Sequence, residues 1–137
     1  MNRALLFAVN TALLSTIHQA DAGPAGYQCV VVQELHLARN GTLKAFPRPL
    51  EVGKRFAINR TTGALAETTA SFWSPSDAIT TVLATGNNKN SFVVSYVAPS
   101  EGGGVHATHV SIDEFSEGSK KPFIVTSSSG IYSGTCE

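Results

Sequence analysis

Charge, cysteine and long apolar runs are all scarce in this 137-residue chain. Only 15% of the residues are charged, 10 Lys+Arg balance 10 Asp+Glu, and no stretch gathers one sign. Nucleic-acid binding needs a dense Lys/Arg footprint, which is missing. A disordered acidic or basic tail needs high net charge and few apolar residues, whereas 42% of this chain is hydrophobic. The motifs of the common chemistries are missing too: there is no GxGxxG, GxxxxGK[ST], HExxH, GxSxG or EF-hand loop. Gly102-Gly103-Gly104 resembles a phosphate cradle only in composition, because neither a Lys-Ser/Thr pair nor a helix start follows it. No cofactor and no metal are expected, and the chain reads as a non-enzyme.

What is present begins with an address. Met1-Asn2-Arg3 carries one cationic side chain, residues 4–17 (ALLFAVNTALLSTI) are mostly apolar, and Ala20-Asp21-Ala22 supplies small residues at a cleavage site. This order is that of a secretory signal peptide over residues 1–22. The apolar stretch, interrupted by Asn10 and Thr11, falls short of the ~20 residues that span a bilayer. The expectation is a periplasmic or secreted protein with one domain over residues 23–137 and no membrane span after cleavage. Cysteine usage agrees with this. Cys29 and Cys136 are the only two, neither has a CxxC partner or a suitably spaced His, and an even pair in an exported chain predicts a disulfide.

The rest of the chain punctuates itself with turns. Residues 27–38 (YQCVVVQELHLA) are rich in β-branched and apolar types and stop at Asn40-Gly41, a hairpin signal. Phe56 and Ile58 alternate with Arg55, Ala57 and Asn59 before Thr61-Thr62-Gly63, and residues 64–67 suit a short return strand. Residues 79–85, 91–98, 105–115, 123–126 and 131–136 complete the strand candidates, and Phe92, Val94 and Tyr96 give the clearest alternation. Pro47 and Pro49 make residues 44–50 an extended or edge connection. Ser74-Pro75-Ser76-Asp77 suits a single helical turn.

About eight short strands linked by short turns predict an all-β fold, a small antiparallel up-and-down β-barrel of lipocalin-like shape. A β-sandwich with the same strand order is the alternative. A bridge between the first and last strands would bring them together, and their pairing would close the sheet. Eight strands leave an interior just wide enough for side chains or one small ligand.

Candidate chemistry is sparse. His106 and His109 are three apart, which on a strand sends them to opposite faces. Asp113 and Glu114 diverge for the same reason, and Glu34 and His36 can join another site only through strand pairing. Ser127, Ser128 and Ser129 lack a positioned base and read as turn formers. Phe72-Trp73 before Pro75 either plugs one barrel end or forms an exposed lip. Phe72, Trp73 and Tyr132 are accordingly the candidate binding residues. Asn40-Gly41-Thr42 and Asn59-Arg60-Thr61 match the glycosylation sequon and equally suit turns.

Gly53-Lys54-Arg55-Phe56-Ala57-Ile58-Asn59-Arg60-Thr61-Thr62-Gly63, Ile112-Asp113-Glu114-Phe115 with Gly118 and Lys121-Pro122-Phe123, and the ending Tyr132-Ser133-Gly134-Thr135-Cys136 resemble a group of small exported bacterial proteins of unknown function. Ser129-Gly130-Ile131-Tyr132 is weakly similar to an inhibitory loop of bacterial C-type lysozyme inhibitors, which are disulfide-linked periplasmic barrels. The first resemblance implies structural residues without a catalytic one, and the second implies an inhibitory loop. The combined expectation is an exported binding or inhibitory module with a protein or small apolar ligand as partner. A small-ligand carrier is the alternative, and a hydrolase with convergent His36, His106, Asp113 and Glu34 ranks last.

Overall fold

The computed structural model describes residues 25–66, 68–71, 78–128 and 130–137. The expected leader, the Ser74–Asp77 turn and the Phe72-Trp73 pair lie outside them. Every regular element among the described residues is a strand. These are β1 (Gly26–Leu37), β2 (Leu43–Ala45), β3 (Arg55–Asn59), β4 (Leu65–Ala66), β5 (Ile79–Asn87), β6 (Asn90–Pro99), β7 (Val105–Ile112), β8 (Lys121–Ser127) and β9 (Gly130–Cys136). One antiparallel sheet runs in the order β4-β3-β1-β9-β8-β7-β6-β5 and curls into an eight-stranded half-barrel, with β2 added on the far half of β1.

The expected pairing of the first and last long strands is present, and Cys29 and Cys136 are direct cross-strand partners joined by a disulfide. The pair closes a sequence separation of 107, a constraint worth up to about 4.7 kcal/mol on the chain-entropy model. The β1–β9 seam lies in the middle of the sheet, not at its closure, because β1 pairs with β3 and β2 along its other edge. The sheet therefore ends on β4 and β5.

Alternation decides which side chains go inward. Phe92, Val94 and Tyr96 on β6 are buried, as are Val110 and Ile112 on β7, Phe123 and Val125 on β8, and Tyr132 on β9. Across the seam Tyr27, Cys29 and Val31 join them, with Phe56 and Ile58 from β3. Rings fill the interior: Tyr27 and Phe92 have centroids 5.3 Å apart, and Phe56 and Phe123 meet edge-on at 5.2 Å. Fully burying each large apolar side chain contributes about 1.5–3 kcal/mol relative to exposure. Gly134 lets the Phe123 ring lie against β9, since a Cβ there would stand 2.0 Å from the Val30 carbonyl oxygen and 2.8 Å from the ring. A bulge between Val31 and Gln33 leaves Val32 exposed and shifts the alternation by one, so Glu34 takes an inward position.

Side chains rather than a backbone ladder bridge the two ends of the sheet. Arg60, just after β3, donates through Nε to the Thr85 carbonyl at 2.9 Å. Its Nη2 donates to the Gly86 carbonyl at 2.9 Å and pairs with the Glu114 carboxylate at 2.7 Å. Nearby, the Tyr96 hydroxyl donates to the Gly63 carbonyl at 2.6 Å. Gly63 has φ of 70°, and a Cβ there would meet Val94 at 2.7 Å and Thr80 at 2.9 Å, so this close approach requires glycine.

Candidate functional site at the hairpin end

Strand direction sorts the connections into two groups. The Arg60 clasp, the Asn87–Asn90 hairpin closure and the residues after Ile112 lie at one end, where Gly26 pairs with Asn59. The β1–β2, β6–β7 and β8–β9 hairpins lie at the other, with Leu37 opposite Leu43, Pro99 opposite Val105 and Ser127 opposite Gly130. We call these the clasp end and the hairpin end.

Successive inward-facing rows change character between them. Moving away from the clasp end past the Phe56-Cys29-Cys136 row, the next row is Phe92-Ile112-Phe123-Gly134, followed by Val94-Val110-Val125-Tyr132-Glu34. Beyond these, Tyr96 pairs with Thr108, then Ala98 with His106, while His36 faces Lys44 across the β1–β2 pair. Aromatic and aliphatic groups thus give way to Thr and His. The Tyr96 phenol is held strongly un-ionised, because burial pushes its pKa far up. The His36 ring packs on Phe46 with centroids 4.6 Å apart, and its Nδ1 is buried without a hydrogen-bond partner. His106 Nδ1 lies 3.3 Å from the Ser128 hydroxyl.

Two buried carboxylates support this end. Between β2 and β3 the chain leaves regular structure, and Pro47 and Pro49 supply no N–H for a ladder. Glu34 Oε2 compensates by accepting from the backbone N–H groups of Leu50 at 2.7 Å and Glu51 at 2.9 Å. Glu51 in turn accepts from the Ser71 backbone N–H at 2.8 Å, from the Ser71 hydroxyl through a short hydrogen bond, and from Lys54 Nζ at 3.1 Å. Burial alone would raise the Glu51 pKa, but the Ser71 and Lys54 contacts outweigh it and hold the carboxyl below its ordinary value of 4.5. At the clasp end the balance is reversed: burial pushes Glu114 up, with the Lys121 charge offsetting part of the rise.

The rim of the hairpin end is apolar and cationic. Leu37 is 69% exposed, Leu43 50%, Leu50 74% and Val105 69%. Between residues 37 and 50 stand Arg39, Lys44 and Arg48, all exposed, with no acidic residue in that stretch. Exposed apolar groups gathered in one place mark an interaction surface more strongly than the same groups scattered.

The sequence-predicted residues distribute as follows. Tyr132 faces inward at 3% exposure, with Val125 and Glu34 as cross-strand partners, so its ring belongs to the core. Phe72 and Trp73 fall outside the described residues; their described neighbours are Ser71, anchored by Glu51, and Ala78, packed on the core. His106 and His109 take opposite parity on β7, as strand spacing requires. Asp113 accepts from the Ser91 hydroxyl at 2.8 Å at the clasp end, whereas Glu34 serves the backbone at the other, so these two acids do not converge. Both sequon asparagines cap turns: Asn40 Oδ1 accepts from Thr42, and Asn59 Oδ1 accepts from the Thr61 and Thr62 N–H groups. Sequence reasoning missed Glu51 and the exposed leucines of the rim. The available signal was the Pro47-Arg48-Pro49 interruption, which breaks the ladder and leaves its flanks outside.

Comparison of the chain with protein-family models, with curated proteins and with solved structures finds no match. The disulfide, for its part, is a mark of an oxidising, non-cytoplasmic compartment.

Proposed function

We propose that the chain is an exported, non-enzymatic binding module, made with a leader over residues 1–22, which meets a protein partner through its hairpin end in the periplasm or outside the cell. The observation that carries this reading is the exposure of Leu37 and Leu43, cross-strand partners where β1 meets β2, together with Leu50 and, at the β6–β7 hairpin, Val105. Protein interfaces combine a central apolar patch with a polar edge, and Arg39, Lys44 and Arg48 supply that edge. The interior favours recognition at the rim over a carried ligand, because Tyr27, Phe56, Phe92 and Phe123 occupy it at 0–4% exposure.

A photo-crosslinking residue tests this when placed at Leu43 and, separately, at Phe115, which is 51% exposed near the clasp end. In the compartment where the chain accumulates, the Leu43 probe is expected to give a discrete adduct with a second protein and the Phe115 probe none. Adducts of equal yield at both positions, or none at either, overturn the proposal.

A further inference from the structure

The two edges of the sheet are unequally protected. At one, β4 is only two residues long, and the chain beyond it stays on β3, where Thr69 and Arg55 exchange hydrogen bonds. At the other, β5 runs for nine residues, and β6 is its hydrogen-bonded neighbour in the sheet. The Arg60 guanidinium occupies the carbonyls of Thr85 and Gly86, and among the described residues no other backbone group pairs with residues 79–83 on that side. That stretch, Ile-Thr-Thr-Val-Leu, carries no charge, no Pro and no Gly. A row of unpaired backbone groups on β-branched, uncharged sequence is a template for another strand.

We propose that β5 pairs antiparallel with β5 of a second copy, about a two-fold axis through Thr81. The segment is complementary to itself in that register. Ile79 of each copy stands opposite Leu83 of the other, Thr80 opposite Val82, and Thr81 opposite its own counterpart. Ile79 and Leu83 are 71% and 60% exposed and share the outer parity of the strand, so two apolar cross-strand pairs form on the same outward face. The bulge between Val82 and Ala84 leaves Leu83 without a register partner on β6 and free to serve this pair. An isologous contact of this kind closes at two copies rather than growing into a fibre. It buries little surface, which makes the dimer weak and dependent on concentration.

The test uses the oxidised chain as it accumulates after export. Sedimentation velocity over a concentration series is expected to show mass rising from one chain toward two and no further. Leu83→Lys, on an exposed side chain, should return the protein to one chain at every concentration, with circular dichroism unchanged. Thr81→Cys should form an intermolecular disulfide under mild oxidation, because directly opposed antiparallel residues lie within bridging distance. Leu37→Cys at the hairpin end should not. A chain that stays monomeric at all concentrations, a dimer indifferent to Leu83→Lys, or crosslinking through Leu37→Cys instead of Thr81→Cys overturns the proposal. Each outcome is independent of whether a foreign protein binds the rim.

Discussion

At the clasp end the half-barrel is drawn shut by contacts between distant parts of the chain. Cys29–Cys136 and Arg60 on Thr85, Gly86 and Glu114 join elements that the fold brings together. At the hairpin end the inward rows lose their aromatic character, and the surroundings of Pro47 and Pro49 are held by two carboxylates rather than by a ladder. The comparison teaches that order and exposure are divided within one sheet. The apolar side chains at the clasp end are mostly spent on the core, so the rim can leave leucines outside without loss of the fold.

The largest expected effect breaks the clasp end. Replacing both Cys29 and Cys136 by Ser should cost about 3–4 kcal/mol, read as a fall in the urea midpoint, since the bridge constrains a long unfolded loop. Arg60→Ala comes next. It strips two carbonyls and leaves the Glu114 carboxylate half-buried without its partner, for a loss of about 2 kcal/mol, discounted from a fully buried pair because Arg60 keeps some solvent contact. Gly63→Ala should cost a similar amount, about 2 kcal/mol, through the clash with Val94 and the strained φ. Thermal unfolding of both variants checks the pair.

Smaller effects sharpen the hairpin end. Glu51 has a folded pKa below its unfolded one, so the stability it contributes is present above about 4.5 and is lost as pH falls through the lower, folded value. Glu51→Gln should therefore lower stability by about 1–2 kcal/mol at neutral pH and flatten the acid side of the stability profile. An unchanged acid limb would contradict the role assigned to that carboxylate. Smallest of all, Leu37→Ser, beside the probe position on the neighbouring strand, should alter stability by less than about 0.5 kcal/mol while abolishing the crosslink from Leu43.

Much of this fold was legible in the sequence because its signals are local. The Phe92, Val94 and Tyr96 alternation placed β6, the Asn40-Gly41 turn ended β1, and the lone cysteine pair announced that first and last strands are neighbours. What resisted reading depends on distance along the chain. Arg60 and Glu114 are 54 residues apart, and Glu51 meets Ser71 across 20. The position of the seam in the middle of the sheet follows from β1 pairing on both edges, which no local pattern encodes. The bulge at Val32 has neither Gly nor Pro to announce it, yet it decides that Glu34 faces inward and, with it, Tyr132 as its partner. Tyr132, a candidate binding residue in the sequence, faces inward opposite Val125 and Glu34. Of the rim, only the Pro47-Pro49 interruption was visible, and exposure of its leucines emerges from the sheet that excludes them.

Hydrogen exchange of the oxidised chain, resolved by peptide, measures the contrast between the two ends most directly. The account predicts that amides of Cys29, Val31, Phe92, Ile112 and Phe123 exchange slowest, near the rate of global unfolding, while those of residues 38–50 exchange orders of magnitude faster. Equal protection of residues 38–50 and the Cys29–Cys136 seam would contradict it.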